Sequence, residues 1–181
     1  MIIADKLRKT NRAEYLLYLW QVEDILRVYG CDAERLKTEY LSRFTVSGEV
    51  AAAMEQWYAD LCDMMHAEGV MEKGHLQLSK NVLQELSDLH ARLLASSRFP
   101  YYREMYYKVL PYVVELRSKG GDNSASELES CFDALYGVLL LRLQGKKVTP
   151  ETERAAKDIT TLLGQLSDYY FRDRECPLEL D

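Results

Sequence analysis

The sequence predicts an all-α fold, with six or seven helices in a single-domain bundle over residues 1–181. Apolar residues recur every three or four positions through most of the chain, which is the period of a helix face. Helix-capping residues and glycines separate these segments. No segment alternates apolar and polar residues as a half-buried strand does. We expect a loose tail at about residues 176–181.

The segment Glu127–Leu143 is predicted to be the buried central helix of this bundle, because it is apolar almost all round. Ser126 and Glu129 have the spacing of a capping box, and Gly145 suits the left-handed residue that ends a helix. A helix of this length spans about 25 Å, which is short for a membrane span. We therefore expect the other helices to surround it.

Two residues of the central helix are candidates for a pocket or an interface. Gly137 weakens a helix interior by up to about 1 kcal/mol relative to alanine. It therefore predicts close contact with another helix or, alternatively, a ligand near the backbone. Arg142 lies within the apolar arc. Either its side chain extends from the last turn to water, or it is buried and paired with an acid from another helix.

The remaining helices are predicted from caps and apolar stripes. Asn11, Asp32 and Ser47 are good N-caps, and Pro150 suits a first helical turn. Small and polar residues at 118–126 predict a flexible loop before the central helix. The expected helix ranges are Arg12–Tyr29, Ala33–Phe44, Gly48–Glu68, Lys80–Ser96, Pro100–Ser118 and Pro150–Arg174.

Two of these helices carry a polar residue inside an apolar stripe. Glu23 is either the partner of a buried base or a border residue that reaches solvent. His90 is either a hydrogen-bonded core residue, whose pKa is then lowered by burial, or part of a polar pocket. Both are therefore candidate site residues.

The helix at Pro100–Ser118 is rich in tyrosine, and Tyr106 and Tyr107 are candidates for a pocket or an interface. Pro111 removes one backbone hydrogen bond and predicts a kink or a break in mid-helix. A carbonyl group freed there, beside several phenols, would make a polar pocket, whereas a simple kink would wrap the helix around its neighbours. Arg117, at the edge of the apolar arc, is a further candidate.

No readable catalytic or cofactor-binding motif is present. The chain lacks a phosphate-binding loop, a dinucleotide glycine fingerprint and a nucleophile elbow. Asp63 with His66, and Glu72 with His75, have the acid–histidine spacing of di-iron bundles, but glycines flank the second pair. The four cysteines lack the spacing of a zinc site or a disulfide framework. We predict no metal and no cofactor, and assign no catalytic residue.

Composition narrows the classes of partner. A formal charge of −6 argues against a nucleic-acid partner, which needs a basic face. The first residues lack the long apolar stretch of a signal peptide, and no transmembrane segment is predicted. We therefore expect a cytoplasmic protein without a membrane partner.

Several stretches of the chain resemble one bacterial family. They are NRAEYLLYLWQVEDILR, EKGHLQLSKN, DLHARLL, YYKVLPYVVELR and CFDALYGVLLLRLQGKKVTPET, of which Cys131–Gln144 is the most specific. The likeness is to the Bacteroidetes family named domain of unknown function 4924 and runs from about Met1 to Arg174. It implies an all-helical cytoplasmic protein without an established activity, and it carries over no catalytic residue.

The function expected from these observations is that of a non-enzymatic soluble helical interaction module, for which a homodimer is one arrangement. A protein partner or self-association would cover the apolar residues that lie beyond the main stripes, namely Leu17, Trp20 and Tyr107.

The alternative is a small-molecule-binding helical protein, or an unrecognised enzyme, with a polar pocket near the central helix. It requires the polar candidates to converge on one cavity. These are Glu23, His90, Arg117, Arg142 and the tyrosines of the Pro100–Ser118 helix.

Overall fold

The computed structural model describes residues 2–118, 125–179 and 181. Within these ranges the chain has eight α-helices, one 3₁₀ turn and no strand, so the predicted all-α class is confirmed. No helix in the described ranges combines the length and the apolar character that crossing a membrane requires. The elements are α1 (Ile2–Thr10), α2 (Arg12–Val28), α3 (Ala33–Glu39), the 3₁₀ turn (Leu41–Arg43), α4 (Gly48–Ala67), α5 (Gln77–Ala95), α6 (Pro100–Ser118), α7 (Glu127–Leu143) and α8 (Pro150–Glu175).

The predicted helix ends are set by the local signals that predicted them. The side chain of Asn11 accepts a hydrogen bond from the N–H of Glu14 at 3.1 Å. Ser126 and Glu129 form the reciprocal capping box at the start of α7. Gly145 has a φ of 69°, the left-handed conformation expected just after a helix.

Other expectations need correction. The described residues contain eight helices rather than six or seven, because α1 also forms and contacts α2. The predicted Ala33–Phe44 helix ends at Glu39, and a 3₁₀ turn follows. Of the kink or break predicted at Pro111, the break does not form, because α6 is continuous through this residue. Most of the predicted loop at 118–126 lies outside the described residues.

The chain groups into two compact units, Met1–Val82 and Leu83–Asp181, whose boundary falls within α5. The single-domain organisation stays a prediction, and each unit is described by itself. We call them the N-unit and the C-unit.

The N-unit is built from α1 to α4, the loop at residues 69–76 and the first turns of α5. Its core joins apolar side chains of α2, α3, α4 and the loop. They are Val22, Leu26, Cys31, Leu36, Leu41, Met54, Tyr58, Leu61, Cys62, Met65, Val70 and Leu76. The phenol of Tyr58 lies within this core and hydrogen-bonds with Tyr18 and Tyr40, which satisfies a polar group that would otherwise be costly to bury.

The C-unit contains the rest of α5 together with α6, α7 and α8. Helices α6 and α8 run antiparallel, since Tyr102 contacts Tyr169 near one end and Lys108 pairs with Asp158 further along. Buried side chains of α8 recur every three or four positions and include Ile159, Leu162, Leu163 and Leu166. In the tail, the N–H of Leu178 donates to Asp173, and Arg98 pairs with Glu179 at 2.8 Å.

Helix α7 is not the fully buried helix that its composition predicts. Its first half is covered, with Leu128, Cys131 and Phe132 buried. Its last turn is open, with Leu141 and Leu143 exposed by 36% and 70%. An apolar composition identifies side chains that gain from burial, but it does not supply a neighbour to bury them.

Candidate functional site

Glu23 is the most deeply buried of the predicted site residues. Its neighbours on the same face of α2, Leu19 and Leu26, are buried as well, so the helix itself directs the carboxylate inward. The side chain of Glu23 is 1% exposed. The expectation that it borders the face and reaches solvent is therefore wrong.

Three donors satisfy this carboxylate. His75 Nδ1 donates to Oε2 at 2.6 Å, and the Ser79 hydroxyl and the N–H of Leu76 donate to Oε1 at 2.6 and 3.2 Å. The Leu76 carbonyl accepts from the N–H of Lys80, which places Leu76 at the start of α5. A carboxylate is favourable there because the first N–H groups of a helix have no partner within it.

The imidazole of His75 is fixed on two sides. It stacks on the indole of Trp20, with ring centroids 4.4 Å apart and an interplanar angle of 18°. The Nδ1–H faces Glu23, so in the neutral ring the lone pair is on Nε2. The side chain is 34% exposed, which leaves this ring the accessible member of the group.

Arg27, one turn after Glu23, holds the other side of the same loop. Its guanidinium donates to the carbonyls of Val70 and Gly74 and pairs with Asp24. Helix α2 therefore contacts this segment through two side chains. The Glu23 carboxylate accepts from donors of residues 75–79, and the Arg27 guanidinium donates to the carbonyls of Val70 and Gly74. We call Glu23, Arg27 and their partners the loop anchor.

The hydrogen bonds of the loop anchor do not run in the direction that a hydrolytic triad requires. In such a triad the nucleophile donates to histidine and histidine donates to the acid. Here both Ser79 and His75 donate to Glu23. Ser79 is also buried. The geometry serves to fix the loop and does not activate the serine.

A second polar group, in the C-unit, surrounds His90 on α5. Its Nδ1 lies 2.6 Å from the phenol of Tyr102, and its ring contacts Tyr106 with centroids 5.2 Å apart. The Tyr106 hydroxyl donates to Glu127, the first residue of α7. We call His90, Tyr102, Tyr106 and Glu127 the α7 cluster.

Burial sets the protonation of the α7 cluster. It lowers the pKa of His90 from 6.5 to about 4, against a smaller opposing effect of Glu127. Burial raises the pKa of Tyr102, so the phenol keeps its proton in its hydrogen bond with Nδ1. Burial also raises the pKa of the neighbouring Cys131 thiol to about 12, which removes it as a thiolate nucleophile at neutral pH.

The other predicted site residues lie apart from this cluster or on its margin. Tyr107 is 60% exposed on α6, and Arg117 on the same helix is half-buried. Arg142 pairs with Glu153 of α8 at 2.5 Å, but both side chains are about half exposed, so the buried-pair alternative does not hold.

A Cβ added at Gly137 would meet nothing within 4 Å, so no close helix contact requires this glycine. Trp20, expected on a second surface, is buried beneath His75.

The structure thus brings His90 and Tyr106 together and assigns Glu23 to the other unit. Sequence reasoning missed His75 as the partner of Glu23 and Glu127 as the partner of Tyr106. A signal for His75 is present in its loop, residues 69–79, which is more apolar than an ordinary connector and therefore gains from contact with another element.

An open groove lies in the N-unit between α3, the 3₁₀ turn and α4, with a volume of about 480 Å³. Leu41 and Met54 line it together with Phe44, and an ion pair between Lys37 and Glu55 lies at its edge, 2.8 Å long. None of the predicted site residues lines it.

An apolar stripe runs along the outside of α6. Tyr107, Leu110 and Val114 share one side of the helix at a spacing of three and four. Tyr107 and Val114 are 60% and 59% exposed, and Leu110 is partly exposed. We call these three residues the α6 stripe.

Within the described ranges, no group of three or more His, Cys, Asp or Glu side chains is arranged to hold a metal ion. Comparison with curated proteins finds no match, and comparison with solved structures finds none either. Comparison with protein families matches residues 1–176 to one described as Domain of unknown function (DUF4924). Since the match covers nearly the whole chain, the protein belongs to this family.

Proposed function

We propose that this protein is a non-enzymatic interaction module that associates with itself through the exposed apolar side of the C-unit. The α6 stripe carries the proposal. Single exposed apolar residues are ordinary on protein surfaces, whereas aligned ones mark contact surfaces. Tyr107, Leu110 and Val114 are aligned, and the spacing of three and four is that of helices that pair along their length.

The end of α7 supports the same proposal. Tyr136, Leu140 and Leu143 follow one another at spacings of four and three on one side of that helix. The first two are partly exposed, and Leu143 is 70% exposed. Two neighbouring helices of the C-unit thus keep large apolar side chains in contact with solvent, and a second protein surface would remove them from water.

The polar clusters favour a binding role over catalysis. Ser79 is buried and donates to Glu23, His90 is buried and neutral at pH 7, and the pKa of Cys131 is raised. None of these groups has the protonation and access that a nucleophile or general base needs.

We further propose a bacterial origin in the Bacteroidetes and a cytoplasmic location. The origin rests on the resemblance of Cys131–Gln144. The location is supported by four free cysteines, of which three are buried, because unpaired thiols are typical of reducing compartments.

The test of self-association is the mass of the full chain in solution. Size-exclusion chromatography with light scattering, over a range of concentrations, is expected to give a dimer for the wild type. Val114→Lys and Leu143→Lys are expected to weaken the dimer in proportion to the contribution of α6 and α7. Val28→Lys is the matched control, since Val28 is 70% exposed at the end of α2 in the N-unit. A wild type that stays monomeric at every concentration rejects the proposal.

The second candidate function is binding of a small polar molecule beside α7. The half-buried Tyr106, the buried His90 and Glu127 favour it, because they bring donors and acceptors together at one end of that helix. Ligand-observed NMR with a set of small phenols and imidazoles tests it. Binding that is lost in Tyr106→Phe and kept in Tyr101→Phe supports this function, and the absence of such a pattern rejects it.

A further inference from the structure

We propose that His75 is a modification site, whose Nε2 takes a phosphoryl group from a small donor with a good leaving group, such as phosphoramidate. The inference goes beyond self-association, because it concerns a side chain of the N-unit that the proposed contact surface does not include. The pairing of His75 with the buried carboxylate of Glu23 carries it.

Glu23 and Trp20 fix the orientation of the imidazole. Nδ1 donates to Glu23 Oε2 at 2.6 Å, and the ring stacks on the indole of Trp20 with centroids 4.4 Å apart. Glu23 is itself held in place, because Ser79 and the N–H of Leu76 donate to its other oxygen. The lone pair of the neutral ring is therefore on Nε2, and 34% of the side chain is exposed. A histidine that a third group orients in this way is prepared for nucleophilic attack.

The same carboxylate stabilises the charge that bond formation creates. When Nε2 bonds to phosphorus and Nδ1 keeps its proton, the imidazole becomes a cation. This cation would lie beside the Glu23 carboxylate, and an opposite charge at hydrogen-bond distance favours the charged form. Water screens the attraction only weakly, because Glu23 is 1% exposed. Glu23 therefore lowers the barrier to substitution at Nε2.

The charge of the modified ring selects a phosphoryl group over an acyl group. Since Glu23 holds the Nδ1 proton, the ring stays cationic, and a neutral acyl group on a cationic imidazole is rapidly lost to water. A phosphoryl dianion offsets the charge of the ring instead. Its three oxygens are strong hydrogen-bond acceptors, which solvent hydrates on the exposed side of His75.

The reaction is a substitution at phosphorus. The Nε2 lone pair forms the new N–P bond, the P–N bond of phosphoramidate breaks, and its electron pair leaves on ammonia. The nitrogen of the donor is already protonated at neutral pH, so neutral ammonia departs without a proton from the protein. Nothing is oxidised or reduced, and Nδ1 keeps its proton in the bond to Glu23.

The other two histidines of the chain provide internal references. His66 is exposed on α4, and its Nε2 lies 3.1 Å from the carbonyl of Cys31, so its ring pairs with a carbonyl rather than with a carboxylate. His90 is buried and hydrogen-bonds with Tyr102. His66 is thus more accessible than His75 but lacks the oriented acid.

Reaction of the folded full-length chain with potassium phosphoramidate at neutral pH tests the proposal. Peptide mass spectrometry under alkaline conditions follows the phosphorylation of each histidine with time. His75 is expected to react about 5-fold faster than His66, although His66 is more exposed. In concentrated urea the two rates should become similar, because unfolding separates His75 from Glu23. Faster reaction of His66 than of His75 in the folded chain overturns the proposal.

Replacement of Glu23 tests the role of the carboxylate. Glu23→Gln keeps the shape of the side chain and removes its charge, so the reaction at His75 should slow about 10-fold while that at His66 is unchanged. Ser79→Ala is the matched control, since it removes a partner of Glu23 but keeps the charge beside His75, and the rate at His75 should stay the same. An unchanged rate at His75 in a folded Glu23→Gln chain contradicts the proposal. If circular dichroism shows that this variant is unfolded, the ratio of the two rates in the wild type decides the question by itself.

Phosphorus NMR identifies the nitrogen that is modified. The expected product is Nε2-phosphohistidine, and its signal should be absent in His75→Gln. A product phosphorylated on Nδ1 of His75 rejects the proposal, because that bond can form only after the contact between Nδ1 and Glu23 is broken.

Discussion

The two polar clusters are each centred on a side chain that a helix buries, but they satisfy it in different ways. In the N-unit, Glu23 accepts from donors that lie 52, 53 and 56 positions away along the chain. In the C-unit, His90 shares a hydrogen bond with Tyr102, 12 positions away, and is held neutral by burial. The stability of the loop anchor therefore depends on Glu23 keeping all its hydrogen-bond partners. The stability of the α7 cluster depends on His90 staying uncharged.

The two clusters are therefore expected to be sensitive to different perturbations. Removing Glu23 leaves several donors without an acceptor, so the N-unit is expected to be sensitive to substitution. Protonating His90 creates a buried charge, so the C-unit is expected to be sensitive to acid.

Replacing Glu23 by leucine is expected to lower the free energy of unfolding by about 4 kcal/mol, because the change breaks a buried pair and strands its donors. Urea denaturation followed by circular dichroism measures it. Glu14→Leu, an exposed acid of the same helix, is the matched control and should change stability by about 0.5 kcal/mol or less. Equal losses in the two variants would show that the loop anchor adds nothing to stability.

Acid is expected to destabilise the protein through His90. Its pKa is about 4 in the folded chain against 6.5 when unfolded, so the unfolded state binds the proton more tightly. The stability it contributes is fully present above pH 6.5 and is lost as the pH falls towards 4. This difference corresponds to roughly 3 kcal/mol.

The His90 expectation is measured by unfolding between pH 4 and pH 7 in the wild type and in His90→Phe. The variant should lose about 3 kcal/mol less over this range, because phenylalanine does not titrate. NMR of the ring protons gives the pKa independently. A titration midpoint near 6.5 in the folded protein would contradict the neutral, buried state of His90.

Replacing Tyr106 by phenylalanine removes the hydrogen bond to Glu127 and keeps the ring. A bond to a charged acceptor contributes about 2 kcal/mol, so the free energy of unfolding should fall by about that amount. Tyr101→Phe is the control, because Tyr101 is 58% exposed on the same helix. A loss no larger than the control's would mean that the α7 cluster is held by packing alone.

The smallest expected effect is that of Ser79→Ala, about 1 kcal/mol, since Glu23 keeps its bonds to His75 and Leu76. Thermal unfolding of Ser79→Ala and Ser87→Ala makes the comparison, because the Ser87 hydroxyl donates to the Leu83 carbonyl of its own helix. If Ser79→Ala is as damaging as Glu23→Leu, the serine and not the carboxylate is the centre of the loop anchor.

Local sequence signals were sufficient to predict the positions of most of the helices. The predicted ranges of α6 and α7 agree with the structure at both ends, and the caps at Asn11 and Ser126 form as expected. These signals act within one turn of helix, so the residues that decide them are neighbours in the sequence. The start of α5 at Gln77 was missed, because Leu76 is held there by the side chain of Glu23.

The candidate site was predictable only in part. An acid or a histidine inside an apolar stripe identified Glu23 and His90, and both are buried. The same reasoning selected Arg142, which is exposed, and Gly137, which has no close neighbour. A stripe shows which side of a helix gains from burial, but not how far along the helix another element covers it.

By itself, the sequence determined the all-α class and most of the helix boundaries. It also identified polar residues on apolar helix faces, whose burial without a partner would cost free energy. The tertiary structure alone decided that His75 and Ser79 satisfy Glu23, that Tyr106 reaches Glu127, and that the end of α7 and the α6 stripe stay exposed. Helix formation depends on groups a few positions apart, whereas these contacts join groups brought together by packing over tens of residues.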